Sequence, residues 1–270
     1  MEGRTGGEAP PSTSNAGGAS GVEPAQEIRM PDRRVAVVTG ANKGIGLEIA
    51  RQLARQGTTV FIGARDEGRG LAAAEKLRAE GLDARPLRID VTDEASVGAA
   101  AAEVEKAAGR LDVLVNNAAI AIDDGPPSRI SADVLRRTYE TNVFGVVRAT
   151  QAFLPLLRRS DAGRIVNMSS GLGSLTLSGD PSWSFAAAKY LAYNTSKSAV
   201  NAITVQFAYE LRDTPIKVNA ADPGYVATDM NQHQGPRTVE QGAATPVRLA
   251  TLPADGPTGG YFNDEGPIPW

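Results

Sequence analysis

The 270-residue chain contains no cysteine. That excludes disulfides, zinc–thiolate sites, iron–sulfur clusters and thiol nucleophiles. It has one histidine, His233, too few for a His-rich metal site or a His-dependent triad, and no metal is expected. Charge of one sign is also lacking: 28 Lys and Arg stand against 31 Asp and Glu, a net −3. Without a basic excess to neutralise phosphates, nucleic acid is not an expected partner. No segment approaches the ~18 consecutive apolar residues of a membrane span. No apolar run follows a basic start as a secretory signal requires, so the expected setting is the cytoplasm, away from membranes. A Gly-x-Ser-x-Gly elbow is missing too, which removes the hydrolase chemistry built on it. Any reaction here must run on hydroxyls, amines, carboxylates or a bound cofactor.

Large apolar residues are scarce at the start. Positions 1–25 hold only Met1 and Val22 of that kind among Gly, Pro, Ser, Thr and Ala. Such a stretch cannot bury enough surface to offset the entropy of ordering, so residues 1–30 are expected to be a disordered tail. From Arg34 onward short apolar runs alternate with longer amphipathic ones. Strands are predicted at 34–39, 58–63, 84–89, 111–115, 164–168, 217–219 and 260–262. Helices are predicted at 44–56, 68–80, 94–108, 131–158, 191–211 and 239–250. Strands separated by helices of this length imply βαβ crossovers, hence a parallel sheet covered on both faces. No linker divides this body, and 31–270 reads as one α/β domain with a seven-stranded, doubly wound sheet.

The most distinctive local pattern is Thr39-Gly40-Ala41-Asn42-Lys43-Gly44-Ile45-Gly46, which leaves the first strand and opens the first helix. Glycines allow a tight turn and let a pyrophosphate approach the backbone, while the helix N-terminus offers unpaired N–H groups and the positive end of its dipole. A tight strand-to-helix turn with no ligand is the plainer reading of such glycines; the βαβ context favours a dinucleotide. A site for NAD would place Asp or Glu at the end of the second strand, about 20 residues past the glycines. Ala64 stands there instead, followed by Arg65, and Lys43 lies within the turn. Two cations and no carboxylate suit a 2′-phosphate, hence NADP(H), although Asp66 becomes the ribose ligand if the strand ends one residue later. Asp90, closing the third strand beside Val91, suits the adenine amino group or, alternatively, a helix cap shared with Asp93.

Tyr193 and Lys197 fall four residues apart at the start of a predicted helix, and so on one face of it. A free phenol ionises near pH 10. A neighbouring ammonium favours the phenolate, which makes Tyr193 a candidate general acid for a carbonyl oxygen, or base in reverse. Tyr190 and Tyr209 have no Lys at that spacing.

The segments Thr39–Gly46, Asn116-Asn117-Ala118-Ala119, Asn142, Ser170, Tyr193 with Lys197, and Pro223-Gly224 occur in one order along the body. Together they resemble the short-chain dehydrogenase/reductase family over about residues 33–270. The stretches 39–47, 111–117 and 163–170 look most like its NADPH-using carbonyl reductase branch. The resemblance implies a single Rossmann domain that carries both cofactor and catalytic residues. It implies Tyr193 as proton donor, Lys197 as the group that lowers its pKa and holds the nicotinamide ribose, and Ser170 as a hydrogen bond to the substrate carbonyl. Ser169 takes that place if the register slips. Asn142 would hold a water joining Lys197 to solvent, and Asn116, with Ala118 after it, would lie beside the adenine ribose. The turn at Pro223 and Gly224 would bring the Val226 backbone and the Thr228 hydroxyl to the carboxamide and phosphate.

Two departures from the family pattern stand out. Ala119 occupies a position usually held by Gly. The stretch between Ser170 and Tyr193 is longer than usual, so 175–189 reads as an insertion beside the site. With Trp183 from this insertion, Tyr225 and Ile120, a lid at 227–237 carrying Met230 suggests a partly apolar pocket for an aromatic or alicyclic ketone, an aldehyde or a quinone. His233 in that lid reads as a solvated loop residue rather than a second acid. The insertion favours a monomer over a dimer. The expected reaction is NADP(H)-dependent reduction of a small carbonyl compound; the alternatives are an NAD-dependent alcohol dehydrogenase and a catalytically silent NADP-binding sensor.

Overall fold

Alternation fixes the layers. In β1 (Val35–Val38), Val35 and Val37 point to one side and Ala36 and Val38 to the other, and all four are buried. A strand buried on both sides belongs inside a parallel sheet. The computed structural model describes residues 33–270, within a compact unit spanning Asp32–Trp270. The tail expected over 1–30 lies outside the described residues.

From β1 the chain runs through α1 (Gly44–Arg55), β2 (Thr59–Ala64), α2 (Glu67–Ala79), β3 (Ala84–Arg88), α3 (Glu94–Ala108) and β4 (Val113–Asn116). It continues with α4 (Ala132–Tyr139), a π-helical segment (Glu140–Phe144), α5 (Gly145–Leu157) and β5 (Arg164–Met168). After these come α6 (Leu175–Gly179), α7 (Leu191–Glu210), β6 (Lys217–Ala221), α8 (Val239–Ala250), β7 (Tyr261–Asn263) and β8 (Gly266–Pro267). The sheet order is β3-β2-β1-β4-β5-β6-β7-β8. The first seven strands are parallel, as the crossovers require. The eighth, a two-residue strand, returns antiparallel on β7, so the sheet has one strand more than the sequence reading expects. A return this short leaves almost no apolar periodicity to read.

On one face Ile49 and Leu53 of α1 and Val247 and Leu249 of α8 cover Val38, Ile62, Val115 and Val166. On the other, Val97 and Val104 of α3, Phe153 and Leu157 of α5 and Leu211 after α7 cover Val37, Phe61, Leu114 and Ile165. The strand order reverses between β1 and β4, where a crevice opens beyond the carboxyl ends of the strands. The opposite edge is closed by Arg164, 1% exposed. Its guanidinium donates to the carbonyls of Gly163, Pro215, Leu252 and Pro253 at 2.7–3.2 Å. Among the described residues no helix is long and apolar enough to cross a membrane.

The helix predicted over 131–158 is interrupted. Asn142 sits in the π-helical segment between α4 and α5, where each turn takes an extra residue. π-bulges of this kind accompany functional positions.

Candidate active site

The glycine turn leads from β1 into α1, and its glycines divide by cause. Gly40 has φ +63°, and a Cβ there would meet the Ala118 Cα at 2.9 Å. One at Gly46 would meet the Asn117 amide nitrogen at 2.4 Å. Both positions are glycine because the turn packs against the end of β4. Gly44 differs. With φ +57° it has nothing nearer to a built Cβ than the Thr228 methyl at 3.8 Å, so its open side faces the crevice. Lys43, in the cap position of α1, provides no side-chain hydrogen bond to the helix. By contrast α2, α3, α4 and α8 are capped by Asp66, Asp93, Ser131 and Thr238. An open approach and an uncapped first turn suit an anion, so the residues present fit a dinucleotide pyrophosphate at Gly44, Ile45 and Gly46.

At the neighbouring strand end β2 stops at Ala64, and exposed Arg65 follows. Asp66, the alternative ribose ligand, accepts the Arg69 N–H at 2.8 Å as the α2 cap. Its carboxylate is thereby drawn to the helix. Lys43 forms an ion pair with Asp229 at 2.5 Å, so the glycine turn is latched to the loop after β6. Asp229 also holds His233 at 2.9 Å, a residue with φ +59° and mostly exposed. Asp90 accepts both the N–H and the hydroxyl of Thr92, at 3.0 and 2.7 Å. It therefore builds a local turn, while Asp93 alone caps α3.

Thr39, Val91, Asn116 and Ala118 line one narrow crevice with Thr141, Gly145 and Val146. The Asn116 side chain turns inward: its amide donates to Thr150 at 3.0 Å and Asn167 at 2.9 Å, and its oxygen is buried without a partner. Asn116 thus borders the crevice while its side-chain amide is committed to the core. Asn117, next along, does the connecting instead. It donates to the Thr39 and Gly40 carbonyls at 2.8 and 3.1 Å, and the Thr39 hydroxyl accepts the N–H groups of Asn117 and Ala118.

Ser170, Tyr193 and Lys197 come together at the carboxyl end of β5. The hydroxyls of Tyr193 and Ser170 lie close enough to interact. Ser169 points the other way, donating to the Asn201 oxygen at 2.6 Å, because successive residues leaving a strand face opposite sides. The register therefore selects Ser170. Lys197 is 3% exposed, with Nζ 5.5 Å from the Tyr193 ring centre and donating to the Met168 carbonyl at 2.7 Å. Burial lowers its pKa to about 8. Burial also raises the Tyr193 phenol to about 12; the Ser170 hydroxyl opposes this and the Asp222 carboxylate adds to it. The sequence reading expects the amine to lower the phenol. In the protein alone desolvation is the largest influence on the phenol, and the amine's hydrogen bond goes to a backbone carbonyl.

Asn142 does not reach toward Lys197. Its Oδ1 accepts the Ile120 N–H at 2.8 Å, and its amide donates to the Ile120 carbonyl at 2.9 Å and to Ser196 at 3.0 Å. Both amide donors are taken, so the side chain stitches the loop after β4 to α7.

On the substrate side, a Cβ at Gly171 would meet the Trp183 ring at 3.3 Å. Trp183 packs edge-on against Phe185 at 5.5 Å between ring centres, and Phe185 against Tyr225 at 5.9 Å. The insertion and the Pro223-Gly224 turn thus share an aromatic wall. Met230 lies exposed in the turn at 229–231. Val226 is buried, its carbonyl held by Asn231 at 2.8 Å. Thr228 borders Gly44 through its methyl group.

The sequence reading passes over three residues. Asp222 accepts the Gly224 N–H at 2.9 Å and a backbone bond from Gly171, tying the turn after Ser170 to the one after β6. Tyr261 donates to the Ser170 carbonyl and stacks on Trp270. Asp123 reaches α7. Their partners lie far off in sequence, except that a carboxylate directly before Pro223-Gly224 was a visible signal.

A model of the short chain dehydrogenase family matches residues 34–238. The chain is 37% identical to a (+)-neomenthol dehydrogenase of Arabidopsis thaliana, over 85% of this chain and 96% of that one. It is 37% identical to carbonyl reductase [NADPH] 1 of Sus scrofa, over 88% and 94%. Among solved structures, NADPH-bound carbonyl reductase from chicken fatty liver superposes with a TM-score of 0.78 at 29% identity, covering 88% of this chain and 99% of that one.

Proposed function

Since the chain belongs to the short-chain dehydrogenase family, we propose that it reduces a ketone, aldehyde or quinone carbonyl using NADPH, with Tyr193 as the proton donor. The observation that carries this reading is the juxtaposed hydroxyl pair of Ser170 and Tyr193, with the Lys197 amine one helical turn along and 5.5 Å from the Tyr193 ring centre. When bound, the cofactor supplies the hydride. Gly44, Ile45 and Gly46 would hold its pyrophosphate at the first turn of α1. Arg65, with Lys43 once freed from Asp229, would take the 2′-phosphate. Asp90, Val91 and Ala118 would border the adenosine half, and the loop from Pro223 through Val226 to Thr228 the nicotinamide half. The capping role of Asp66 supports NADP(H) over NAD, because that carboxylate is occupied at the helix.

Two hydroxyls converging on one carbonyl oxygen polarise it by hydrogen bonds whose strength grows as negative charge develops there. The Tyr193 O–H then transfers its proton to that oxygen. With its pKa at about 12 in the protein alone, the phenol is in its acid form at neutral pH, the form that reduction requires. Lys197 keeps donor capacity beyond its single bond to Met168, suited to a ribose hydroxyl. The aromatic wall of Trp183, Phe185 and Tyr225 favours a small cyclic or aromatic substrate over a charged one. The names of the relatives, a neomenthol dehydrogenase and carbonyl reductases, point to the same substrate chemistry.

The test is coenzyme consumption with NADPH and with NADH against a panel of ketones, aldehydes and quinones. NADPH-dependent turnover is expected, and Tyr193→Phe should lower it on the order of 10²–10⁴-fold with NADPH binding retained. Tight NADPH binding without turnover on any carbonyl, or full activity in Tyr193→Phe, overturns the proposal.

A further inference from the structure

One carboxylate near the site has no part in the scheme above. Asp123, in the loop between β4 and α4, accepts the Ala192 N–H through Oδ1 at 2.7 Å and the Tyr193 N–H through Oδ2 at 3.0 Å. These are first-turn N–H groups of α7, which have no partner inside the helix. The residue in the cap position, Tyr190, supplies no side-chain acceptor. The cap is imported from a segment about 70 residues earlier in the chain.

The same loop is fastened at its other end. Thr39 and Gly40 of the glycine turn hold Asn117 and Ala118, and Asn142 clasps both backbone groups of Ile120. A strut of seven residues, from Asn117 to Asp123, thus joins the cofactor turn to the first turn of α7. A first turn without acceptors frays at little cost. Tyr193 is only the third residue of α7, so fraying there would displace the phenol itself.

We propose that Asp123 is a positioning residue: its two-oxygen cap on Ala192 and Tyr193 fixes the Tyr193 hydroxyl against Ser170 and couples it to the glycine turn. The proposal rests on Tyr193 being the proton donor.

The test compares Asp123→Ala and Asp123→Asn with the wild type. In the cofactor-free protein, hydrogen exchange followed by mass spectrometry should quicken over 191–196 in the alanine variant and stay unchanged elsewhere. The kcat for NADPH-dependent carbonyl reduction should fall on the order of 10–100-fold, the scale set by small misplacements of a reacting group. NADPH affinity, read by fluorescence, should stay within about twofold, because the lost interaction is one of chemistry and not of coenzyme binding. Asparagine keeps one acceptor oxygen and should fall between the two. Wild-type kcat in a variant whose first turn exchanges freely overturns the proposal. So does quickened exchange across the whole domain with equal losses in binding and kcat, which is the signature of general support. If alanine prevents folding, Asp123→Asn decides alone: reduced kcat with intact NADPH binding supports the cap, and wild-type kcat refutes it. If the wild type reduces no carbonyl at all, the proposed reaction fails, while the exchange arm still reports on the cap.

Discussion

Two buried cations lie at opposite edges of the sheet, and they are built for different purposes. Arg164, at the amino edge, uses all five N–H donors on four main-chain carbonyls. Lys197, at the carboxyl edge, is as well buried yet has one main-chain acceptor, at Met168. Burial lowers the pKa of both. In Arg164 the desolvation is answered by hydrogen bonds that join the start of β5 to the chain after α8, and nothing is left over. In Lys197 one bond to a main-chain carbonyl answers it, and the ammonium keeps further donor capacity. A buried cation with every donor bonded to the main chain holds the fold together; one with a single such bond has donors to spare for a ligand.

The largest expected effect on this comparison is Lys197→Met. Turnover should fall on the order of 10²–10⁴-fold, while stability in urea stays level or rises by about 1 kcal/mol as a poorly compensated buried charge disappears. A large loss of stability would put Lys197 in the same class as Arg164. Arg164→Met should do the reverse. Leaving four carbonyls without donors is expected to cost roughly 3–5 kcal/mol of unfolding free energy, with the kcat of the folded fraction near that of the wild type. A variant with normal stability would mean that water replaces the guanidinium easily.

A pH series sharpens the contrast. Folding lowers Lys197 from 10.5 to about 8, so the unfolded chain holds that proton more tightly. The protein is therefore penalised below about pH 8 and recovers as pH climbs toward 10.5, by about 3 kcal/mol in all. Tyr193 acts in the opposite sense. Raised from 10.0 to about 12, it contributes stability that is present below pH 10 and lost on the way to 12. Urea midpoints between pH 7.5 and 9.5 isolate the lysine: they should rise in the wild type and stay flat in Lys197→Met. The smallest effect is expected from Tyr261→Phe, which removes the donor to the Ser170 carbonyl and should lower kcat by roughly three- to tenfold with NADPH affinity unchanged. Unaltered kcat would show that Asp222 and the turn after Ser170 hold the serine unaided.

How much of this was legible depends on how far each interaction reaches along the chain. The glycine turn, the covered parallel sheet and the Tyr193/Lys197 spacing are local patterns, and they appear in the structure where the sequence places them. The break at Asn142 was not legible, because apolar spacing in a 131–158 helix does not register one extra residue per turn. Asn116 and Asn117 could not be told apart by type; only strand alternation turns the first into the core and the second toward the glycine turn. Asp123 on α7 and Tyr261 on Ser170 join segments 70 and 91 residues apart, so neither has a local signature. The rise of the phenol in the protein alone is not legible either, because helical spacing gives the neighbouring amine but not the depth of burial.

The bond from Tyr261 to the Ser170 carbonyl also has a meaning in time. The glycine turn lies near the beginning of the domain and β7 near its end, so the last parallel strand to be made is the one that braces the serine. Until that strand is in place the Ser170 carbonyl lacks its phenol donor, so the serine is braced only when the domain is complete.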